Sequence, residues 1–315
     1  MPVFVLERVQ VLEGGDELRK AVFIGAAALV VLIVVFIKSI EFRSTPEDST
    51  KKSELANPPR PDVQHFPRQL SNTVLVIGHR GNPTQAPENT LAAINHAFAM
   101  GAGMVEADVH LSSDGVPVVI HDDTVDRTTN GKGQVSQMTV AQLKTLDAGS
   151  WKDPKYANER IPTLAEALQA AQGKGLLLLD LKVDEMGHPI AEVIRSLNLP
   201  NSNVAVGTWS PEQRDDIVKF LPGAHVFCTA DAPKSWNPNY FTEQLARGIT
   251  GFEVGANWSP EFVAAAHVHG LPVYAYTIND GPIMRKLIEM GVDGIETDDP
   301  AVLLFLLNKI SRQGK

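Results

Sequence analysis

Apolar runs in this chain stop on residues that can move protons or hold ions. "VIGHRG" (76–81) ends on His79 and Arg80, and "VPVVIH" (116–121) ends in the same way on His121. In "MVEADVH" (104–110) Glu106 and Asp108 sit two apart. A strand has a side-chain period of two, so both carboxylates share one face while Val105 and Val109 point the other way. Asp180 and Lys182 in "GLLLLDLK" (175–182) share a face by the same rule. A strand end emerging into water explains any one case; three strands behaving alike point to convergence. Two carboxylates about 6–7 Å apart repel by about 2–3 kcal/mol at an effective dielectric of about 20. Asp180 joining them raises that cost, so the cluster must bind a cation, hold a proton or pair with basic residues. All-oxygen ligation suits a hard ion, Mg²⁺ or Ca²⁺, better than zinc. Arg80 and Lys182 then exceed what the acids require, and an anionic substrate is expected, with phosphate the usual guest. Two histidines, one accepting and one donating a proton, are the minimum for general acid–base work near neutral pH. His110 shares the face of Glu106 and Asp108 but is assigned a structural role. His65, His96, His188, His225, His267 and His269 lack a carboxylate pattern and are assigned no part in the site.

These residues need a scaffold that brings several strand ends together. Strands are expected at 73–78, 104–110, 116–120, 175–182, 203–209, 224–230, 251–256, 272–278 and 294–297. "NTLAAINHAFAMGA" reads as a helix with Leu91, Ile94 and Phe98 on one face, Asn89 as N-cap and Gly101 as its stop. "PTLAEALQAAQGKG", "PEQRDDIVKFL", "SPEFVAAAHVHG" and "GPIMRKLIEMG" repeat the helical pattern. Strand–helix alternation implies a parallel sheet with helical crossovers, and eight or nine strand signals favour a closed TIM (β/α)8 barrel over an open sheet. "VPVVI" follows its predecessor too closely for a helical crossover, so the two form a hairpin or an irregular unit. Residues 123–162 show one weak helical signal, "TVAQLKTL", and a barrel would place this insertion over its C-terminal mouth.

Upstream of the barrel the texture differs. "AVFIGAAALVVLIVVFI" (21–37) carries no charge and is bounded by Lys20 and Lys38. At about 1.5 Å per residue it nearly crosses a hydrocarbon core of about 30 Å, and snorkelling lysines close the gap. No small-residue cleavage site follows, which favours a retained anchor over a signal peptide. The organisation expected is a tail (1–20), a transmembrane helix (21–40), a polar, disordered linker (41–72) and a barrel (73–315). The chain is then a single-pass membrane protein, with the barrel displayed on the extracytoplasmic side. A net charge of -9 argues against nucleic acid or an anionic membrane surface as the main electrostatic partner. A single cysteine, Cys228, excludes an internal disulfide framework and a cysteine-based zinc site.

Taken in order, "HRG" (79–81), "PENT" (87–90), "EADVHLSSDGVPVVIHDD" (106–123), "DRTTNGKG" (126–133), "IPTLAEAL" (161–168), "DLK" (180–182) and "GVDGIETDDP" (291–300) resemble the glycerophosphodiester phosphodiesterase family. The resemblance implies a TIM barrel that hydrolyses glycerophosphodiesters to glycerol 3-phosphate and an alcohol. By position, it makes His79 and His121 the acid/base pair and Glu106, Asp108 and Asp180 the ligands of a divalent metal. Arg80 and Lys182 contact the phosphate, and Glu88 and Asn89 are supporting residues, Glu88 bracing the His79–Arg80 loop. Asp180 stands where the family usually has Glu; it is shorter by roughly 1.5 Å, so ligation is expected to be longer or bridged by water. Tyr276 stands near a usual Trp and keeps an aromatic wall for the glycerol end. "VGTW" departs from the usual strand ending beside the leaving-group pocket. Glu296 and Asp298 fall at another strand end, where Asp298 is expected to pair rather than ligate. Two other functions are weighed against this one. A phospholipase D-type enzyme on lysophospholipids at the membrane would use the same residues; a non-catalytic, membrane-anchored binding barrel would be expected to lack some of them.

Overall fold

The computed structural model describes residues 74–229, 235–256 and 259–313. The expected tail, membrane anchor and linker lie outside the described residues, and among the described residues no helix is long and apolar enough to cross a membrane. Nine strands are described. They are β1 (Leu75–Gly78), β2 (Met104–Leu111), β3 (Pro117–Val119), β4 (Leu176–Leu181), β5 (Val204–Thr208), β6 (His225–Thr229), β7 (Gly251–Val254), β8 (Val273–Ala275) and β9 (Gly294–Thr297). All but β3 run parallel in the order β1-β2-β4-β5-β6-β7-β8-β9, and β9 pairs back onto β1, which closes the barrel. β3 is the return arm of a hairpin, with Val109 opposite Val119 and His110 opposite Val118. The close spacing of "VPVVI" behind its predecessor therefore marks a hairpin and not a ninth barrel strand.

The helices are α1 (Leu91–Met100), α2 (Val140–Leu143), α3 (Leu164–Ala171), α4 (Gly187–Ser196), α5 (Pro211–Phe220), α6 (Tyr240–Ala246), α7 (Pro260–Val268), α8 (Gly281–Met290) and α9 (Pro300–Gln313). Caps fix several of their starts. Thr163 and Glu166 form a capping box on α3, while Ser210, Ser259 and Asp280 cap α5, α7 and α8, each followed within two residues by proline. The cap of α1 is Thr90, whose hydroxyl accepts from the Ala93 amide; Asn89, expected there, is committed elsewhere. The expected face of α1 buries Ile94 and sets Phe98 against the core, with its centre shifted toward two alanines. Ala93, Ile94 and Ala97 are buried, and Leu91 and Phe98 only half so. The reason is close approach: a Cβ on Gly78 would meet the Ala97 Cβ at 3.0 Å, and one on Gly81 the Ala93 Cβ at 2.6 Å. Glycine facing alanine lets α1 press against the turn that carries His79 and Arg80.

The insertion between β3 and α3 has a small core of its own, formed by Val118, Ile120, Val125, Val135, Leu143, Ala148 and Ile161. It packs beyond the C-terminal end of β1, where the Tyr156 hydroxyl donates to the Gln85 carbonyl at 2.7 Å and Lys152 donates to the Pro83 carbonyl.

Inside the barrel, alternate residues of each strand point inward. Near the N-terminal ends they make an apolar plug of Leu75, Ile77, Met104, Leu178, Ala205, Phe227 and Tyr274. The Phe227 and Tyr274 rings stack at 4.7 Å, in room left by Gly251 and Gly294. Two residues further along their strands, the inward positions become acidic: Glu106 after Met104, Glu253 after Gly251, Glu296 after Gly294 and Asp180 after Leu178. Gly207 on β5 makes space for one of them, since a Cβ there would meet the Glu253 Oε2 at 2.6 Å. Glu106, Glu253 and Glu296 are all buried.

Burial pushes the Glu253 carboxyl up to about 7, against the opposing hydrogen bond donated by the Thr229 hydroxyl at 2.6 Å. Between the ordinary glutamate range and that value the unfolded chain ionises this group while the folded chain keeps it protonated. Stability is therefore lost as pH rises through that window, and the loss is complete above it. Glu253→Gln removes the term. The variant is expected to exceed the wild type in urea-unfolding free energy by up to about 3 kcal/mol at pH 8, and by much less at pH 5. An equal difference at both pH values would show that Glu253 is ionised in the folded chain.

Candidate active site

The functional side chains sit at or just past the C-terminal ends of their strands, the end at which barrel enzymes build their sites. His79 follows β1 by one residue, Lys182 follows β4, Trp209 follows β5, Tyr276 follows β8 and Asp298 follows β9. The His79–Gly81 turn is held on three sides. The His79 amide donates to the Thr297 carbonyl at 3.0 Å, the Arg80 carbonyl accepts from the Asn89 amide at 3.0 Å, and the Arg80 amide donates to Glu106 Oε2 at 2.7 Å. Arg80 and Gly81 have φ of 50° and 90°. The second demands glycine twice over, for its backbone angle and for the approach of α1.

Hydrogen bonds fix the tautomer of His79. Arg80 Nε donates to His79 Nε2 at 3.2 Å, so Nε2 carries the lone pair, and Nδ1 then donates to Asp298 Oδ1 at 2.6 Å. The His79 hydrogen bond holds the Asp298 carboxyl below its ordinary range; Asn279 adds a second one to Oδ2 at 2.6 Å. Asp298 thus pairs, as expected, and the residue it orients is His79.

His121 is reached through a chain of ion pairs. Its Nδ1 lies 2.7 Å from Asp122 Oδ1, and Arg127 bonds Asp122 through Nε at 2.7 Å and Nη2 at 2.8 Å. Arg127 also bonds both oxygens of Glu88 at 2.8 Å, and Glu88 accepts from Arg80 Nη1 at 2.9 Å. Hydrogen bonding from Arg127 pulls the Asp122 carboxyl well below its usual range. Burial would raise Glu88, but Arg127 and Arg80 together bring it below its ordinary value. His110 supports the His121 loop from beneath, its Nε2 lying 3.1 Å from the His121 carbonyl oxygen. Glu88, Asn89 and His121 line one small cavity. Asp122 and Arg127 escape the strand-face reading because both lie in loops, where no period reveals a shared direction. The alternation of charge in "HDDTVDR" was the available signal.

The carboxylates converge as the strand parity requires. Glu106, Asp108 and Asp180 offer oxygens that all lie within 4.8 Å of one another, closer than spacing along a strand implies, because β2 and β4 set Asp108 beside Asp180 in register. Their environments differ. Asp108 accepts from Asn89 Nδ2 at 2.5 Å and pairs with Lys182 Nζ at 2.8 Å and Arg80 Nε at 3.4 Å. Burial alone would raise its pKa, but Lys182 and Arg80 bring it below the ordinary value. Asp180 accepts from Lys182 Nζ at 2.7 Å and from the Trp209 indole at 2.6 Å. Burial would lower the Lys182 pKa, yet Asp108 and Asp180 leave it raised. Glu106 has no such cation. Burial, then Asp108 and Glu296, push its carboxyl well above the normal range, and its Oε1 is buried without a hydrogen-bond partner. An orphaned carboxylate oxygen within an all-oxygen donor set is the signature of a place for a hard divalent cation.

Tyr276 and Trp209 meet edge to face, ring centres 5.8 Å apart, and Trp209 is 48% exposed. Trp209 at the rim and Glu253 in the interior are the residues that strand-end reasoning passed over. Glu253 was visible as the lone acid in "GFEVGA"; nothing in the sequence says that Trp209 reaches Asp180.

Comparison with known proteins agrees with this geometry. A family model described as the glycerophosphoryl diester phosphodiesterase family matches residues 79–198 and 235–302. A glycerophosphodiester phosphodiesterase of Caldanaerobacter subterraneus is 35% identical over 245 residues, covering 75% of this chain and 98% of that protein. A solved phosphodiesterase of Oleispira antarctica, in complex with the product sn-glycerol-3-phosphate, superposes with a TM-score of 0.67 at 32% identity, over 74% of this chain and 96% of that one. The glycerophosphodiester phosphodiesterase of Agrobacterium tumefaciens gives a TM-score of 0.66 at 30% identity, over 73% and 99%. With the family model spanning more than half of its length and a full-length relative above 30% identity, the chain belongs to the glycerophosphoryl diester phosphodiesterase family.

Proposed function

We propose that this chain hydrolyses glycerophosphodiesters to sn-glycerol 3-phosphate and an alcohol, with His79 and His121 as proton carriers. The observation that carries the reading is the lone pair of His79 Nε2, fixed by Asp298 and set at the edge of the carboxylate cluster. Family membership supplies the substrate class. Glu106, Asp108 and Asp180 would hold a divalent metal, Mg²⁺ or Ca²⁺, which when bound supplies Lewis-acid polarisation of a phosphoryl oxygen. Everything else falls to the chain itself. Arg80 and Lys182 hold the remaining phosphoryl oxygens and disperse their charge. His79 Nε2 takes the proton of the glycerol 2-hydroxyl as that oxygen bonds to phosphorus. His121 gives its proton to the departing alcohol oxygen as the old P–O bond breaks. In the second half His121 accepts the proton of an attacking water, and His79 returns its own to the 2-oxygen as the cyclic phosphate opens. Each half moves one proton on and one off, which is why one histidine does not suffice. Tyr276 and Trp209 wall the pocket.

His79→Asn and His121→Asn are each expected to lower kcat for glycerophosphocholine hydrolysis by at least about a hundredfold, the range of general acid–base assistance. Chelator is expected to abolish turnover in the wild type, with Mg²⁺ or Ca²⁺ restoring it. Wild-type rates in either variant would remove that histidine from the mechanism.

Product analysis separates this activity from its nearest rival. Glycerol 3-phosphate released from glycerophosphocholine supports the proposal. Choline released from lysophosphatidylcholine, with glycerophosphocholine left intact, would establish a phospholipase D-type enzyme instead.

The uncharged run at 21–37 between Lys20 and Lys38 supports a further part of the proposal, that residues 21–40 anchor the enzyme in a membrane with the barrel outside the cytoplasm. The barrel is then expected to be cleaved by protease added to intact cells, and the chain to resist extraction by alkaline carbonate. Protection of the barrel would reverse the orientation; carbonate release would remove the anchor.

A further inference from the structure

Beside the Glu106, Asp108 and Asp180 cluster lies a second group with a different donor chemistry. His79, Glu106 and Glu296 each offer one ligand atom, and these atoms lie within 4.8 Å of one another; His79 Nε2 and Glu296 Oε1 are 3.9 Å apart. We propose that His79, Glu106 and Glu296 form a second cation site, selective for a borderline ion such as Zn²⁺, whose occupation silences the enzyme. The inhibitory half rests on the proton-carrying role proposed for His79; the binding half does not.

Three features support it. The first is charge. Asp108 and Asp180 are already neutralised by Lys182 and Arg80, whereas no lysine or arginine among the described residues forms an ion pair with Glu106 or Glu296. Glu296 receives the Thr277 hydroxyl at 3.0 Å, and the further carboxyl pressing on it is Glu253. Two buried acids so placed hold either protons or a cation. The second feature is the orphan: Glu106 Oε1 is buried with no hydrogen-bond partner, and Glu106 belongs to both donor groups. The third is the orientation of His79. A ligating histidine donates its other ring N–H to a carboxylate, which fixes the tautomer and raises the basicity of the ligating nitrogen. Asp298 does this to His79 Nδ1 at 2.6 Å and puts the lone pair on Nε2, where an ion would take the place of the Arg80 Nε–H that donates there at 3.2 Å.

Size and hardness then choose the ion. One imidazole and two carboxylates is a zinc-type donor set with a fourth position open, while the neighbouring all-oxygen set suits Mg²⁺ or Ca²⁺. Zinc about 2.1 Å from each donor needs donors about 3.4 Å apart, so a contraction of about 1.4 Å or less closes the site. An Nε2 lone pair that coordinates zinc cannot accept a proton. The same atom therefore reads both substrate and inhibitor.

The test counts metal. The full-length chain is dialysed against Zn²⁺ with Mg²⁺ in large excess, and bound zinc is measured by mass spectrometry. Glu296→Gln is expected to bind one zinc fewer per chain than the wild type, and Asp180→Asn to keep that zinc. Zn²⁺ is also expected to inhibit the wild type at concentrations at least tenfold lower than those inhibiting Glu296→Gln, each measured against its own zinc-free rate. Should Glu296→Gln fail to fold by circular dichroism, His79→Asn serves for the count, with the same loss of one zinc expected. Equal zinc counts in wild type and the folded ligand variant would overturn the site. The intended count without phosphodiesterase activity in any preparation would leave the site standing and sink the proposed function instead.

Discussion

Like charge crowded into a low-dielectric barrel is the constraint to which the rest of the structure answers. Parallel closure sends every strand's C-terminal end to the same rim, so carboxylates placed late on β2, β4, β7 and β9 must meet. Two solutions to their repulsion coexist a few ångströms apart. Toward the rim, Lys182 pairs with Asp108 and Asp180, and Arg80 with Asp108, so positive charge stands beside the acids. Deeper in, Glu106, Glu253 and Glu296 pair with no lysine or arginine among the described residues, and burial pushes their carboxyls above the ordinary range. The boundary between the two regimes runs through Glu106, whose Oε2 takes a backbone amide and whose Oε1 takes nothing. A site with cation-paired acids at its mouth and acids without lysine or arginine partners beneath it is suited to gain positive charge.

The loops solve a different problem, that of holding His79 and His121 to a common frame although they hang from different strands. The frame is the alternating row Arg80, Glu88, Arg127, Asp122 and His121. Arginine occupies both of its basic positions because a planar fork can bond two carboxylates at once, which Arg127 does with Glu88 and Asp122. A lysine would offer a point charge and lose the angular constraint. The insertion that carries Arg127 has its own apolar core, so this anchor point sits on packed structure.

How much of this could be read from the sequence depended on periodicity. Strand parity put Glu106 with Asp108 and Asp180 with Lys182, and the structure brings all four together. Alternation of strands and helices gave the barrel, and the short gap before "VPVVI" left a hairpin or an irregular unit, of which the structure shows the hairpin. The helices missed were α4, α6 and α9, although Ile190, Ala191 and Ile194 on α4 have the spacing of a buried face. Contacts made by loop residues carried little signal: Asp122 with Arg127 left only the charge alternation of "HDDTVDR", and Trp209 with Asp180 joins segments brought together by the fold, not by any repeat. The N-cap of α1 fell one residue late because Asn89 and Thr90 are both competent caps. The need of Asp108 for a buried hydrogen bond decided between them.

The indole of Trp209 has a consequence for how this site could change. Its N–H occupies one oxygen of Asp180, and a side chain one methylene longer at position 180 would drive its carboxylate into the space that the indole nitrogen fills. The two positions are thereby joined by one hydrogen bond, and a change at either alters what the other meets. The short acid and the large aromatic suit each other at this rim.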